Sequence, residues 1–431
     1  MADRPTIRGV IGLPPDETVR AFDARQELRL TTNWPEMWHD DHARAFTVAK
    51  VANLDLLETI RTSLADAVHN GATFEQWQRN LVPMLQQAGW WGRVQDRELT
   101  GTDDPVHVGP RRLRTIYNTN MRVSRAAGQW ARIQAAKDVA PYLRYVAVMD
   151  RRTRPLHRAW HGTILPVDHP WWTTHFPPCG WNCRCTVMQL SERDLERYGW
   201  KVGEPPAEGP PSTFFRTGAE KPETIPAGID PGFAYNPGEA SMRAIADKAT
   251  ATLERTAAVD LAGARAALRE LVDSPAFPRA LDEAGTSFPV MVLGDELREA
   301  LGAKGRVAVL SADTVAKQRG LIPDRPGHPE LTLAEYRRLP GIGAEPDLVF
   351  QQDDRRILLL RTEDNRWLKA AVKVTENREE MFVVSLAWAR PNEIARLQRR
   401  YPLIWGQIAG AIAALIAGAV GEDDDGGEGE A

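Results

Sequence analysis

Apolar positions recur every three or four residues through much of the first 200 positions and every second residue through much of the last 150, so the chain changes pattern midway. In the first part, Leu57, Ile60, Leu64 and Val68 fall on one face and predict a helix from about His42 to Val68, stopped by Asn70-Gly71. Thr73 and Gln76 form a capping box for a second helix whose apolar face is Phe74, Trp77, Leu81 and Leu85, with Pro83 expected to kink it and Gly89 to end it. Pro110 opens a third, carrying Leu113, Ile116, Asn120, Val123, Ala127 and Trp130 on one stripe. Asn120 is the polar member of that stripe and reads as a buried amide satisfied by neighbouring backbone. Residues 15–40 read as extended or loop structure anchored by Trp34 and Trp38.

Tyr142 to Met149 alternates as a strand does, and Thr186–Leu190 forms a second short one after a Pro- and Trp-rich stretch from Asp150 to Arg184. Ser191 and Asp194 cap a closing helix through Tyr198. Residues 201–240, rich in proline and glycine, read as a linker or extended arm, and an alanine-rich helix follows from about Glu239 to Val272. Beyond it, strands are predicted at Val290–Leu293, Val307–Leu310, Asp347–Phe350, Ile357–Leu360, Trp367–Val374 and Met381–Ala387. Short helices are predicted near Asp295–Leu301, Asp313–Gln318, Leu333–Leu339 and Asn392–Arg400. The last four strands follow one another closely, which favours an antiparallel meander with helices on one side.

The fold class is therefore multi-domain, a mainly α N-terminal module followed by a small α+β domain with an antiparallel sheet. The boundaries are a module at 1–200, the arm at 201–240, the Ala-rich helix at 241–275, the α+β domain at 285–405, and an apolar helix with an acidic tail at 406–431. Leu403 to Val420 is apolar apart from Gln407, at the lower length limit for a membrane span. It fits either membrane contact through 403–420 or a docked terminal helix, and the docked helix is the reading adopted.

Composition refines this in two ways. With 43% hydrophobic and 26% charged residues in 431, the chain is an ordinary globular protein with length for two or three domains. Of the 14 tryptophans, all but Trp367, Trp388 and Trp405 precede residue 201, which fits two halves of different origin. The net charge of −4 includes Glu422, Asp423, Asp424, Asp425, Glu428 and Glu430; removing these six negative charges leaves +2. Neither sign dominates, so electrostatics argues neither for nor against nucleic acid. Met1 to Pro14 has no secretory-signal pattern, and three clustered cysteines form no disulfide framework, which points to synthesis in a reducing cytoplasm.

All three cysteines lie within Cys179–Cys185, and His157, His161, His169 and His175 precede them closely. One reading makes Cys183 and Cys185 small buried apolar residues in a self-folded loop. Another is a structural zinc site: zinc takes four tetrahedral N/S donors, Cys183-Arg184-Cys185 offers two, and His157 is the leading third. The fourth would be His161, His175 or Cys179. A nucleophilic cysteine with His157 as base is a third reading, with no oxyanion-hole signal beside it.

The first half resembles the phage Mu F-like minor head proteins, the phage head morphogenesis family. The resemblance is carried by Phe46-Thr47-Val48-Ala49, Arg114 to Asn120, Asp150-Arg151-Arg152-Thr153-Arg154-Pro155-Leu156-His157, Pro177 to Cys185, and Ile225 to Gly238, covering about residues 30–240. It implies a minor capsid protein of the virion, made in the host bacterial cytoplasm, present in few copies near the portal, with the portal and other head proteins as partners and phage DNA as a further one. Other branches of the family carry a cysteine pair around the positions of Arg154 and His157. That implies His157 stands in for one ligand, while Arg154 cannot ligate.

In the α+β half, alternation sets Leu368, Ala370, Val372 and Val374 on one face and Lys369, Lys373 and Thr375 on the other, with Ser385 beside the lysines on an open sheet face. His328 lies in the loop before the meander. A histidine as general acid or base, lysines at the phosphate and a hydroxyl from Ser385 or Thr375 are the parts of metal-free RNA cleavage, which needs the ribose 2′-OH. This half also resembles, more loosely, the phage-borne barnase/EndoU/colicin/RelE-like (BECR) nuclease domains, through Ser311 to Lys317, His328-Pro329-Glu330, Tyr336, Pro346-Asp347, Trp367-Leu368-Lys369 and Val384-Ser385. That resemblance implies an RNase-like toxin or effector domain with host RNA as substrate. The alternative is a domain that binds DNA or a capsid partner without catalysis.

Overall fold

The computed structural model describes residues 16–39, 41–215, 221–274, 276–283, 285–321, 331–363 and 366–406. The chain divides into two compact units, with the boundary after Ile245, inside the helix Pro237–Ala257.

The first unit is built along the 26-residue helix Pro110–Ala135. Its N-terminal half puts Leu113, Tyr117 and Met121 into one core with Leu57, Ile60, Leu64, Trp77, Leu81 and Leu85 of the helices Leu54–His69 and Phe74–Gln87. Its C-terminal half puts Ala126, Trp130 and Ile133 into a second core, rich in tryptophan, with Tyr145, Trp160, Trp171, Trp172 and Phe176. One apolar stripe thus serves two cores. Close approach of the helix Asp16–Asp23 depends on Gly128, where a Cβ would lie 2.7 Å from the Thr18 backbone nitrogen.

The first helix of the Leu57 stripe starts later than its periodicity predicts. Residues Asp41–Arg44 form a single turn, Ala45–Phe46 pairs in parallel with Glu27–Leu28, and Asn53 then caps the helix by accepting from Leu56 N at 2.9 Å. A dedicated cap fixes the start more strongly than apolar spacing does. The capping boxes at Thr73/Gln76 and Ser191/Asp194 form as predicted, and Pro83 lies inside a helix that continues to Gln87. Tyr142–Val146 is the central strand of a three-stranded antiparallel sheet, flanked by Ile164–Pro166 and Thr186–Leu190.

The Pro/Gly-rich stretch after residue 200 is no free linker. It forms the hairpin Ser212–Phe214/Glu223–Ile225, and Ile225, Ile229 and Phe233 are buried in the tryptophan-rich core. Few apolar residues were needed, because the rings around them supply the contact area. The alanine-rich stretch divides into two helices, Pro237–Ala257 and Leu261–Asp273, where Asp260 caps the second by accepting from Gly263 N at 2.8 Å.

The second unit is a seven-stranded mixed sheet in the order Ser287–Val292, Val307–Ser311, Met381–Ala389, Arg366–Val374, Arg356–Glu363, Leu348–Asp353, Leu403–Trp405. The last four predicted strands form the expected antiparallel meander. The pairing of Val307–Ser311 with Met381–Ala389 is parallel, so the sheet is mixed. The helices Leu261–Asp273, Ala276–Asp282, Ala312–Gln318 and Leu339–Ala344 pack on one face, over Val349, Leu359, Leu368, Ala370 and Val372. The helix Pro391–Arg400 lies on the other, placing Ile394 and Ala395 against Phe350, Leu358, Leu360, Trp367 and Ala371.

That second covering corrects the expectation of an open sheet face. Lys369, Ala371 and Lys373 do share a face, but the apolar residues beside the lysines provide a seat for a helix. The apolar stretch at 403 likewise begins as a strand: Leu403–Trp405 pairs with the exposed edge of Leu348–Asp353. Its remainder, from residue 407, lies outside the described residues. Among the described residues no helix is long and apolar enough to cross a membrane.

Candidate metal centre

The C-x-C pair precedes the strand Thr186–Leu190, where alternate side chains share a side, so Cys183 and Cys185 face one way and Arg184 the other. Arg184 is held there by Asp150, which accepts from both guanidinium nitrogens at 2.7 and 2.6 Å. That bidentate pair holds the Asp150 carboxyl well below the usual carboxylate range. Asn182, at φ 59°, turns the chain into the pair.

His157 comes from the short helix Pro155–Trp160, which Pro155 starts. Its ring is 2% exposed, stacked on Trp160 at 4.8 Å, and its Nε2 donates to the Gly228 carbonyl at 2.9 Å. With the proton on Nε2, Nδ1 keeps a free lone pair, and Nδ1 is the atom that faces the thiols. It lies 3.7 Å from Cys183 Sγ and 3.5 Å from Cys185 Sγ. The closeness of the two sulfurs favours a single thiolate, drawing the Cys183 thiol down and pushing Cys185 up.

These distances test the donor set against a metal. Zinc–sulfur and zinc–nitrogen bonds of tetrahedral length and angle put S and N donors about 3.6 Å apart. The two observed separations fall on either side of that value, and all three donor atoms lie within 4.8 Å of one another. The backbone carbonyl behind the ring is the outer contact that metal-bound histidines use to fix their orientation. Two thiols and an oriented imidazole are donors of the kind zinc prefers and supply three of the four positions of a tetrahedral site.

The other predicted ligands are engaged elsewhere. Cys179, fully buried, donates to the His175 carbonyl at 3.3 Å and lies 3.9 Å from the Tyr145 hydroxyl. His161 Nδ1 accepts from Ala147 N at 3.1 Å. His175 is buried between Trp160 and Trp171, with Nδ1 2.9 Å from Thr174 Oγ1. The group of potential donors that the described residues bring together is His157, Cys183 and Cys185. Arg154, which cannot ligate, donates to Asp230 at 2.6 Å. Gly228 and Asp230, which hold His157 and Arg154, escape sequence reasoning because they lie more than 70 residues away.

Of the predicted nuclease residues, Lys369, Lys373 and Ser385 fall on one face, with Ser385 opposite Ala371 between the lysines. Lys369 is ion-paired to Glu393 of the covering helix. Lys373 and Thr375 border a shallow depression with Arg355 and Phe382, and Thr375 donates to Asn377 at 2.6 Å. His328 lies outside the described residues. Asn120 donates to the Ile116 carbonyl at 2.9 Å, as expected of a satisfied amide, and its oxygen accepts from Arg25 at 3.0 Å.

Residues 58–188 match the family described as Phage Mu protein F like protein. The "Putative capsid assembly protein F" of Escherichia phage Mu is 41% identical over 244 residues, covering 53% of this chain and 55% of that protein. The "Mu-like prophage FluMu F protein" of Haemophilus influenzae is 42% identical over 182 residues, covering 42% of this chain and 43% of that one. The chain thus spans about half the length of the curated relatives it matches. No solved structure matches it significantly. The similarity supports a Mu F-like family relationship, and the matched segment includes His157, Cys183 and Cys185.

Proposed function

We propose that this chain, Mu F-like in its first unit, is a head-morphogenesis protein of a Mu-like phage or prophage. In this reading it acts in capsid assembly, sits in the virion near the portal among other head proteins, and meets phage DNA on its passage. The observation that carries the proposal is the 41% identity, over 244 residues, to a relative whose name describes capsid assembly.

Zinc belongs to the same proposal as a structural element. Held by His157, Cys183 and Cys185, it would supply a cross-link between the Asp150–His157 segment and the Cys179–Cys185 loop. His157, stacked on Trp160, and Cys183 are buried and Cys185 is half-buried, an environment suited to stability rather than turnover. The second unit is read as a binding module for DNA or a capsid partner. Lys369, one of the two lysines that alternation singles out, is tied to Glu393 of the covering helix rather than left free for a phosphate.

The test uses cells carrying the phage or prophage that encodes the chain, with its reading frame intact or deleted. Heads are counted by electron microscopy and their proteins identified by mass spectrometry. The expected result is loss of DNA-filled heads in the deletion and recovery of the full chain in purified heads or their assembly intermediates. A normal yield of filled heads without the chain would overturn the proposal.

A further inference from the structure

The first unit contains a cavity of about 290 Å³, at the lower end of the size range of small-molecule sites. Aromatic side chains of Trp34, Trp181 and Phe233 form much of its wall, and Arg25 and Arg112 also line it. Asp and Glu are absent from the lining among the described residues.

Arg25 is the unusual member. It is 4% exposed, yet its hydrogen-bond partners are neutral: Nη1 donates to Asn120 Oδ1 at 3.0 Å and Nη2 to Ser124 Oγ at 3.2 Å. Its Nε–H has no acceptor, and no carboxylate pairs with it among the described residues. Arg112 also has an Nε–H without an acceptor; its other contacts are the Ala49 carbonyl and the face of Trp90. A buried guanidinium without a counter-charge is costly, and an anion in the cavity would offset that cost. Burial draws Arg25 down to about 10; burial first, and Arg25's charge second, draw the neighbouring His42 down to about 4 against the opposing pull of Asp41.

We infer that this cavity is a binding site for a small anion with an apolar or aromatic body, its acidic group received by Arg25 and Arg112 and its body packed against the tryptophans. The site is separate from the His157/Cys183/Cys185 cluster and does not depend on the capsid proposal. Cation and ring are arranged as for recognition of an aromatic acid: donors at one end, π-faces along the wall.

The full chain would be titrated with benzoate, phenylacetate, phenyl phosphate, benzamide and benzylammonium, read by tryptophan fluorescence and thermal unfolding. At least one anion is expected to bind saturably, with Kd about millimolar or tighter, and benzamide about tenfold or more weaker. Comparison of benzoate with phenyl phosphate assigns the acidic group. Arg25→Gln is expected to abolish the preference for anion over amide. Because Arg25 also supports Asn120 and Ser124, Thr119→Phe, which fills the cavity from its wall and leaves the arginines in place, is the second variant; it is expected to abolish binding of every probe. No saturable response from any anion, or equal binding of benzoate and benzamide to the unaltered chain, would overturn the inference.

Discussion

Arg154 Nη2 donates to Asp230 Oδ2 at 2.6 Å, and the same carboxylate oxygen accepts the Trp181 backbone N–H at 2.8 Å. One carboxylate therefore joins the segment before His157, the cysteine loop and the chain around Gly228. Removing Asp230 leaves a half-buried guanidinium and a backbone N–H without their partner. Asp230→Ala is expected to lower the unfolding free energy by about 1–3 kcal/mol, and Arg154→Ala by less. Denaturant unfolding of the two single variants and the double should give a coupling energy of about 1 kcal/mol or more. Strictly additive effects would show that the ion pair contributes nothing of its own.

Legibility in the sequence followed the range of the interaction. The capping boxes at Thr73 and Ser191 and the meander from Leu348 to Ala389 were readable because a cap needs only three residues of context and a strand declares itself by alternation. The late start of the Leu54–His69 helix was missed because Asn53 overrides a periodicity that extends beyond it. The open face was missed because the helix that seats on Ala371 comes from residues 391–400, after the strands themselves. In the candidate centre, His157, Cys183 and Cys185 were legible as residue types. Gly228, which fixes the imidazole, was not, since a carbonyl acceptor leaves no mark on side-chain identity.

Lys369 and Lys373 alternate on the same strand face but differ in surroundings. Lys369 is half-buried and paired to Glu393, whereas Lys373 has no ion-pair partner among the described residues. Lys369→Met should leave Glu393 beside an apolar helix seat without its counter-charge, lowering stability by about 1–3 kcal/mol. Lys373→Met should change it by about 0.5 kcal/mol or less. Thermal and urea unfolding of the full chain, followed through a probe in the second unit, would distinguish them. Equal effects would mean that the ion pair does not brace the covering helix.

His175 makes the first unit acid-sensitive. Burial between Trp160 and Trp171 draws its imidazole from 6.5 down to about 4; Glu208 is the carboxylate nearest its Nε2, at 4.0 Å. Between those two values the unfolded chain takes up a proton that the folded chain does not. The folded state therefore loses stability as pH falls through this window, by up to about 1.4 kcal/mol per pH unit for this one group. His175→Gln should flatten the dependence of unfolding free energy on pH between about 6.5 and 4 by one proton's worth. An unchanged slope in the variant would show that other groups carry the acid response.

The metal proposal is tested by stoichiometry and by stability together. The full chain, purified without chelator, is expected to carry close to one zinc per chain by elemental analysis, and Cys183→Ser/Cys185→Ser to carry none. Because metal binding is linked to folding, removal of zinc should lower the melting temperature of the first unit, and adding zinc back should restore it. His157→Ala should weaken the metal as well, and Gly228 offers no side chain to compensate for the lost ring. His161→Ala should leave stoichiometry unchanged, since its Nδ1 already accepts from Ala147. A fully folded chain with no bound metal, and with no change in melting temperature on titration with zinc, would leave Cys183 as a buried and Cys185 as a half-buried small side chain.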